Sequence, residues 1–449
     1  MDKISVLVVV PHDAALNEYV SIFNSTTRFV PVFYLGYKSR YIQILEESNI
    51  CYYTEHNDNK IKRNTFMTIK RVVVTKIKHF FDNSYLGCFL QSSVLKNYLT
   101  KKLKNKIIKR MVSLDSIVIR HKVLKVVIAT DRSYGNEASV ILLAKRKKLD
   151  IILMSFAYSA DYKSVYKLRN ALIYSFLRGQ PSTVIFKSSS LGNKAFYRSF
   201  ESCALKELGV LSSNPWVLGM GHCSKMLVDS EREKSRLVKL GGHKEKYVVT
   251  GLTTHDSLYS QFINKSTYKN KFKEEYSLNS DPNIFISLPQ YFEHGLCEET
   301  EHFLIINQMI DILSKLDVNL FISLHPKMDK ANYNHLDKKE SVHILDEPLS
   351  SNLICADIFL ATYSSTVTWA LMCDIPVVIF DHINLAYDDF YSEFLIPLAI
   401  NNDELLVKVK RILFESVSND NLITSNIKNE ISPFDGKCLN RIVKAISEE

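Results

Sequence analysis

The 449-residue sequence predicts an α/β chain of two tandem doubly wound domains, each a parallel sheet with helices on both faces. Three observations predict it. Short apolar runs that read as buried strands alternate with capped, amphipathic stretches along the chain. Hydrophobic residues make up 46% of the sequence, which at this length supplies two cores. In the last third, two apolar runs lead directly into turns bearing an imidazole or hydroxyls, which is how parallel sheets present groups at their carboxyl edges.

Taken in order, residues 4–10 read as the first strand. An acid precedes this run and Pro11 stops it, so a first strand rather than a signal peptide is expected. Further strands are expected at 29–35, 123–129, 150–154 and 183–186, with a basic helical block inserted at about 60–122. Residues 216–228 read as a strand. Residues 229–241 read as a helix with an Asp or Ser cap, early acids and a terminal glycine. Residues 246–251 supply another strand, and the first domain is expected to span 1–264. The polar, lysine-rich stretch 265–282 ends in Ser-Asp-Pro and reads as a linker. The second domain, 283–432, opens on the strand Asn-Ile-Phe-Ile-Ser. A helix at 298–316, strands at 318–323, 343–345 and 358–361, a short helix at 365–373 and a strand at 377–380 follow. Residues 433–449 read as a helix returning to the first domain.

Eight cysteines stand apart, with no Cys-x-x-Cys and no histidine at metal spacing, so they read as small core residues of a reducing compartment. No apolar run reaches the length of a membrane span, and the expectation is a soluble or peripheral protein. Charge is uneven: residues 60–125 hold 17 lysines and arginines against Asp82 and Asp115 alone, while the rest of the chain is net acidic. In this stretch cations interleave with apolar residues, as on a helix lying against an anionic membrane; the alternative is a solvated helical face. No nucleic-acid recognition motif accompanies it.

The strand 319–323 leads into Leu-His325-Pro326, and the strand 358–361 into Thr-Tyr-Ser364-Ser365-Thr366 ahead of a helix. Free backbone N–H groups, a helix N-terminus and hydroxyls converging there make an anion site, and an anion on a sheet edge points to a nucleotide-bearing substrate. His325 offers an imidazole N–H, Ser364 and Ser365 offer hydroxyls and helix-end amides, and Pro326 stiffens the loop. Such preorganised donors stabilise the charge that develops on a departing phosphate. No Asp-x-Asp pair suited to a metal-diphosphate is present, so no metal is expected.

Two Rossmann-like domains with these loops resemble the GT-B class of glycosyltransferases, in which reaction takes place in the cleft between domains. The likeness rests on Thr130-Asp131-Arg132, on Val-Thr-Gly251 with His255-Asp256, on Ser287-Leu-Pro-Gln-Tyr-Phe-Glu293-His294-Gly295, and on the His325-Pro326 and Ser364-Ser365 words. The last pair, with Ser364 38 positions after Pro326, resembles the HP and SS motifs of bacterial transferases that use CMP-activated sialic, polysialic, Kdo or other nonulosonic acids. That resemblance implies a CMP-sugar donor, with His325, Pro326, Ser364, Ser365 and Thr366 at its nucleotide and phosphate. It also implies a glycan or lipid-linked glycan acceptor of capsule or lipopolysaccharide type, and a place at the cytoplasmic face of an inner membrane. Trp369 stands where many nucleotide-sugar transferases carry a ribose-binding Glu, so that contact does not carry over. The tryptophan either stacks or packs in the core.

A catalytic base is expected on the acceptor side. Asp131, just past a strand end, is the first choice, Glu137 in the following helix the second, and His12 with Asp13 the third. The alternatives for Asp131 are a helix cap or a partner for Arg132. Glu293 and His294 would overlook the donor sugar, orienting hydroxyls, acting as a general acid or pairing with a sugar carboxylate. Two other enzyme classes remain open: a UDP-sugar hexosyltransferase or UDP-N-acetylglucosamine 2-epimerase, and a CDP-polyol phosphotransferase. The epimerase family is expected to show a His-Arg-Arg-Glu word and a Ser-Gly-Gly turn, where this chain has Leu-Pro-Gln-Tyr-Phe-Glu-His and Ser-Ser-Thr.

Overall fold

The computed structural model describes residues 3–37, 39, 41–55, 79–154, 165–166, 169–188, 192–325, 328–339, 341–385, 394, 396–415 and 431–448. The chain forms two compact units, Met1–Thr250 with Arg441–Glu449, and Gly251–Asn440. Both are mixed α/β with a parallel sheet.

In the first unit the strands are β1 (Ile4–Val10), β2 (Phe29–Leu35), β3 (Cys51–Thr54), β4 (Lys125–Ile128), β5 (Asp150–Met154), β6 (Ile185–Phe186), β7 (Lys194–Ala195), β8 (Lys225–Val228) and β9 (Tyr247–Val249). Seven of them form one sheet in the order β3-β2-β1-β4-β5-β8-β9, and every pairing in it is parallel. β1 is nearly all valine and leucine and Val6–Val10 are fully buried, because helices cover both faces of a parallel sheet and leave no polar alternation.

Three expectations for this unit change. Residues 183–186 do not enter the sheet: β6 pairs antiparallel with β7 alone. Of the predicted strand 216–228 only Lys225–Val228 is extended. Upstream, Trp216 packs its ring 5.3 Å from both Phe186 and Phe196 and donates from Nε1 to the Val184 carbonyl, while the Gly219–Gly221 backbone turns onto Asp131. β3 was not anticipated, being a four-residue edge strand whose residues are exposed or half-buried.

Of the basic block, residues 60–78 lie outside the described residues. The remainder holds helix Tyr85–Phe89, a π-turn at Leu90–Val94 and the long helix Lys96–Arg120, which buries Ile107, Met111, Leu114, Ile117 and Val118 on one face. No helix among the described residues is long and apolar enough to cross a membrane.

The second unit contains β10 (Asn283–Ser287), β11 (Asn319–Ser323), β12 (Val342–Ile344), β13 (Ile358–Ala361), β14 (Val377–Phe380) and β15 (Leu398–Ala399), all paired in parallel in the order β12-β11-β10-β13-β14-β15. The chain builds outward from β10 to one side, then returns to β13 and builds outward to the other. The switch point therefore lies between β10 and β13, where doubly wound sheets open a crevice.

The stretch expected to be a linker is instead helix Lys265–Glu275, and the division between units falls at Thr250 rather than 264. The reason is one apolar face hidden in a polar sequence. Phe272 is buried with its ring 5.6 Å from Phe285 and 4.7 Å from Phe321, on β10 and β11, and Lys269 pairs with Asp357 at 2.7 Å. Helix Asn402–Phe414 and β15, neither anticipated, complete this unit; Asn401 caps the helix by accepting the Glu404 N–H.

The last helix is Cys438–Ser447. Asp256 holds its start, with Oδ1 accepting the Cys438 N–H and Oδ2 the Leu439 N–H, both at 2.8 Å. Gly251 lies against it with φ +76°, where a Cβ would stand 2.3 Å from the Cys438 sulfur. Close approach and a left-handed backbone both require glycine there. Farther along, Arg441 Nε donates to the Thr250 carbonyl, and the Glu448 carbonyl accepts from Lys125 and Lys225.

Candidate functional site

The parallel pairing of β11, β10, β13 and β14 sets the ends of four strands along one edge of the second unit. The loop after β10 carries Glu293 and His294, that after β11 His325, and that after β13 Ser364, Ser365 and Thr366. Strand order thus gathers six of the predicted site residues on one edge, with the β10 and β13 loops on either side of the switch point. Pro326 lies outside the described residues.

The β13 loop is a hydroxyl turn. Ser364 Oγ lies 2.6 Å from Thr366 Oγ1 and accepts the Thr366 N–H, while its carbonyl accepts the Val367 N–H. Thr366 is the cap residue of the short helix Val367–Met372, and Ser365 is exposed. Trp369 packs against the apolar cluster beneath this helix, so the core reading of that residue is the structural one. His325 is half-buried, and Met328 folds back on it: the Met328 N–H donates to the His325 carbonyl at 2.8 Å.

Tyr363, which the sequence reading passed over inside the Thr-Tyr-Ser-Ser word, bridges the switch point. Its hydroxyl accepts the Gln290 N–H at 3.0 Å and lies 3.3 Å from His294 Nδ1. Next to it Thr362 donates to the Phe380 carbonyl at 2.7 Å, so the buried Tyr291 hydroxyl, 3.4 Å away, is the donor to Thr362. Asp381, immediately past β14 and buried, accepts the Leu385 N–H.

Glu293 belongs to a second relay. Tyr333 donates to Glu293 Oε1 at 3.1 Å, and His302 Nε2 lies 2.7 Å from the same hydroxyl. With its only proton directed at Glu293, Tyr333 must accept from His302. That fixes the Nε2–H tautomer and leaves Nδ1 bare, and Nδ1 has no partner among the described residues. Burial pushes the His302 pKa down against the opposing Glu293 and Glu299 carboxylates, and burial together with the Glu293 carboxylate pushes the Tyr333 phenol well up. Glu293 Oε2 is buried without a hydrogen bond among the described residues. Nothing in the sequence announced Tyr333 or His302, which lie 40 and 9 positions from Glu293.

The other two predicted residues belong to the first unit. Asp131 follows β4 and is only 2% exposed, with Oδ1 accepting the Gly219 N–H at 3.3 Å and Oδ2 the Gly221 N–H at 2.6 Å. A Cβ on Gly221 would stand 2.6 Å from that oxygen, so the contact needs glycine. Burial raises the Asp131 pKa and the two amides oppose it. The geometry makes Asp131 an anchor for the 214–223 loop. Asp131 is not the cap of the following helix, whose cap position is Gly135.

Glu137, in the first turn of helix Asn136–Lys147, is 7% exposed and makes no hydrogen bond or ion pair among the described residues. Its charge helps raise the phenol of Tyr19, behind burial and Glu18. At the end of β1, Asp13 accepts from Ser39 Oγ at 2.6 Å, and burial followed by Asp13 raises the phenol of Tyr37.

The sequence matches no family model and no curated protein. Solved structures do match. UDP-N-acetylglucosamine 2-epimerase from Neisseria meningitidis, bound to UDP-N-acetylglucosamine, is 11% identical with a TM-score of 0.54, and all of each chain is covered. A glycosyltransferase from Rickettsia africae is 12% identical with a TM-score of 0.52, over 99% of this chain and 98% of that one. An Anabaena protein in complex with UDP and glucose is 11% identical with a TM-score of 0.51, over 99% of each. At these identities the likeness is one of fold: it shows the GT-B architecture, two Rossmann-like units in tandem, and lends nothing to the CMP-sugar resemblance of the HP and SS words.

Proposed function

We propose that this chain is a glycosyltransferase that uses a UDP-activated sugar, bound at the carboxyl edge of the β10–β15 sheet. The observation that supports it most directly is the gathering of His325, the Ser364–Thr366 hydroxyl turn and the tethered Glu293 along one edge beside the switch point. Doubly wound sheets bind nucleotides at such an edge. The choice of UDP over CMP follows the fold neighbours, which carry UDP or a UDP-sugar. Transfer is favoured over 2-epimerisation because neither the His-Arg-Arg-Glu word nor the Ser-Gly-Gly turn is in place.

In this reading His325 and the hydroxyl turn hold the diphosphate and stabilise the charge it gains on leaving. Glu293, oriented by Tyr333, receives a sugar hydroxyl on Oε2. The base on the acceptor side passes from Asp131 to Glu137, the carboxylate with no hydrogen-bond donor among the described residues.

Melting of the purified protein with UDP, CMP or CDP tests the reading, since a ligand that binds the native state raises its stability by mass action. UDP raises Tm, and His325→Ala lowers that shift at equal UDP. A shift with CMP alone returns the donor to the nonulosonate class that the HP and SS words resemble; a shift with CDP alone indicates polyol-phosphate transfer. No shift with any nucleotide refutes the site.

A further inference from the structure

The first unit carries a surface that the nucleotide reading leaves without a role. Along helix Tyr85–Phe89 and the turn after it, apolar side chains face water: Tyr85 is 75% exposed, Leu86 65%, Val94 64% and Phe89 48%. The long helix that follows carries a similar mixture on its solvent face. At about 100° per residue, Lys102, Lys109 and Val112 fall within about 40° of Tyr98, opposite the buried Ile107 and Met111. Tyr98 is 64% exposed and Val112 59%.

Lys101, Lys102, Lys106 and Lys109 are all exposed, and none has an ion pair or hydrogen bond among the described residues; Lys104 and Arg110 of the same helix are held by Glu207 and Glu55. Between the lysines runs a groove of about 550 Å³ floored by Leu99, Leu103 and Phe200 and rimmed by Lys102, Lys106 and Lys109.

We propose that this face docks the chain on an anionic lipid bilayer. Exposed aromatic and aliphatic side chains next to unpaired ammonium groups match the two halves of such a surface, acyl boundary and phosphate layer. A second copy of the chain fits poorly, because a two-fold contact would bring the four lysines against their own counterparts. Nucleic acid would leave Leu86, Val94 and Val112 against a phosphate backbone that gains nothing from aliphatic contact, although Tyr85, Phe89 and Tyr98 could stack on bases, so duplex DNA is included as a competing ligand. The inference is independent of the nucleotide-sugar reading and stands or falls without it.

Co-sedimentation of the full chain with vesicles tests it. The protein is expected to pellet with phosphatidylcholine–phosphatidylglycerol vesicles, to release as salt rises, and to ignore pure phosphatidylcholine. Replacing Lys101, Lys102, Lys106 and Lys109 by Gln weakens binding about fivefold per lysine. Replacing Tyr85, Leu86 and Phe89 by Ser lowers binding at every salt concentration. The four lysines are exposed and unpaired among the described residues, so the lysine variant keeps the wild-type melting temperature; the apolar variant loses the Tyr85–Phe176 ring contact, and its binding is compared at a temperature where its far-UV circular dichroism matches wild type. Absence of vesicle binding, equal binding to neutral vesicles, or binding untouched by both variants overturns the proposal. So does lysine-dependent capture of duplex DNA without vesicle binding, or a dimer that the apolar variant dissociates.

Discussion

His255 shows how one buried side chain writes itself into pH dependence. It is almost fully buried, with Nδ1 2.7 Å from Ser432 Oγ, and burial pushes its pKa down to about 3. In the unfolded chain the same imidazole titrates near about 6.5. The neutral form is the folded form, so its contribution to stability is complete above about pH 6.5 and is lost as pH falls towards 3. The wild-type chain is expected to lose stability from pH 7 to pH 5, and His255→Gln to flatten that slope. At pH 5 the variant takes up about one proton fewer on unfolding, measurable by urea titration across pH. His302 and His343, also pushed down by burial, keep part of the slope. An unchanged slope in the variant would mean that His255 protonates within the fold.

At the scale of elements, the start of helix Cys438–Ser447 is held from outside. Asp256 takes the place of a cap residue by accepting two of the N–H groups that no helix can satisfy internally. Asp256→Ala leaves both donors unmet and is expected to cost about 1–2 kcal/mol, the range of a lost cap; Asp256→Asn retains one acceptor and costs less. Denaturant midpoints rank the three proteins, and equal midpoints would show that water replaces the carboxylate. Local pattern found most elements: the expected 4–10, 29–35, 150–154, 358–361 and 377–380 coincide with β1, β2, β5, β13 and β14. It failed where burial is partial or borrowed. β3 is an edge strand, and helix Lys265–Glu275 shows mainly lysines and polar residues while resting on Phe272.

At the scale of the molecule, the first unit is closed by residues from the far end of the chain. Ile442, Ala445 and Ile446 are buried, and the Glu448 carbonyl accepts from two lysines of β4 and β8. Truncation after Asn440 removes these groups. Each buried isoleucine contributes about 1.5–3 kcal/mol, so the first unit should melt several degrees lower or fail to fold. Unchanged melting of the truncated chain would show that the segment adds nothing to that core.

The sequence alone determined the alternation of strands and helices, hence two α/β sheets, and it marked the strand-end words that contain His325, Ser364 and Ser365. Those signals are local, carried by period, β-branched runs and caps within a dozen residues. Tertiary structure alone decided that β10 sits between β11 and β13, which brings those words onto one edge. It decided that Tyr333 and His302 orient Glu293, and that Asp131 is an anchor, through partners 88 and 90 positions away. Whether a carboxylate is desolvated and bound or left available depends on which distant backbone folds over it, and no pattern near the residue carries that information.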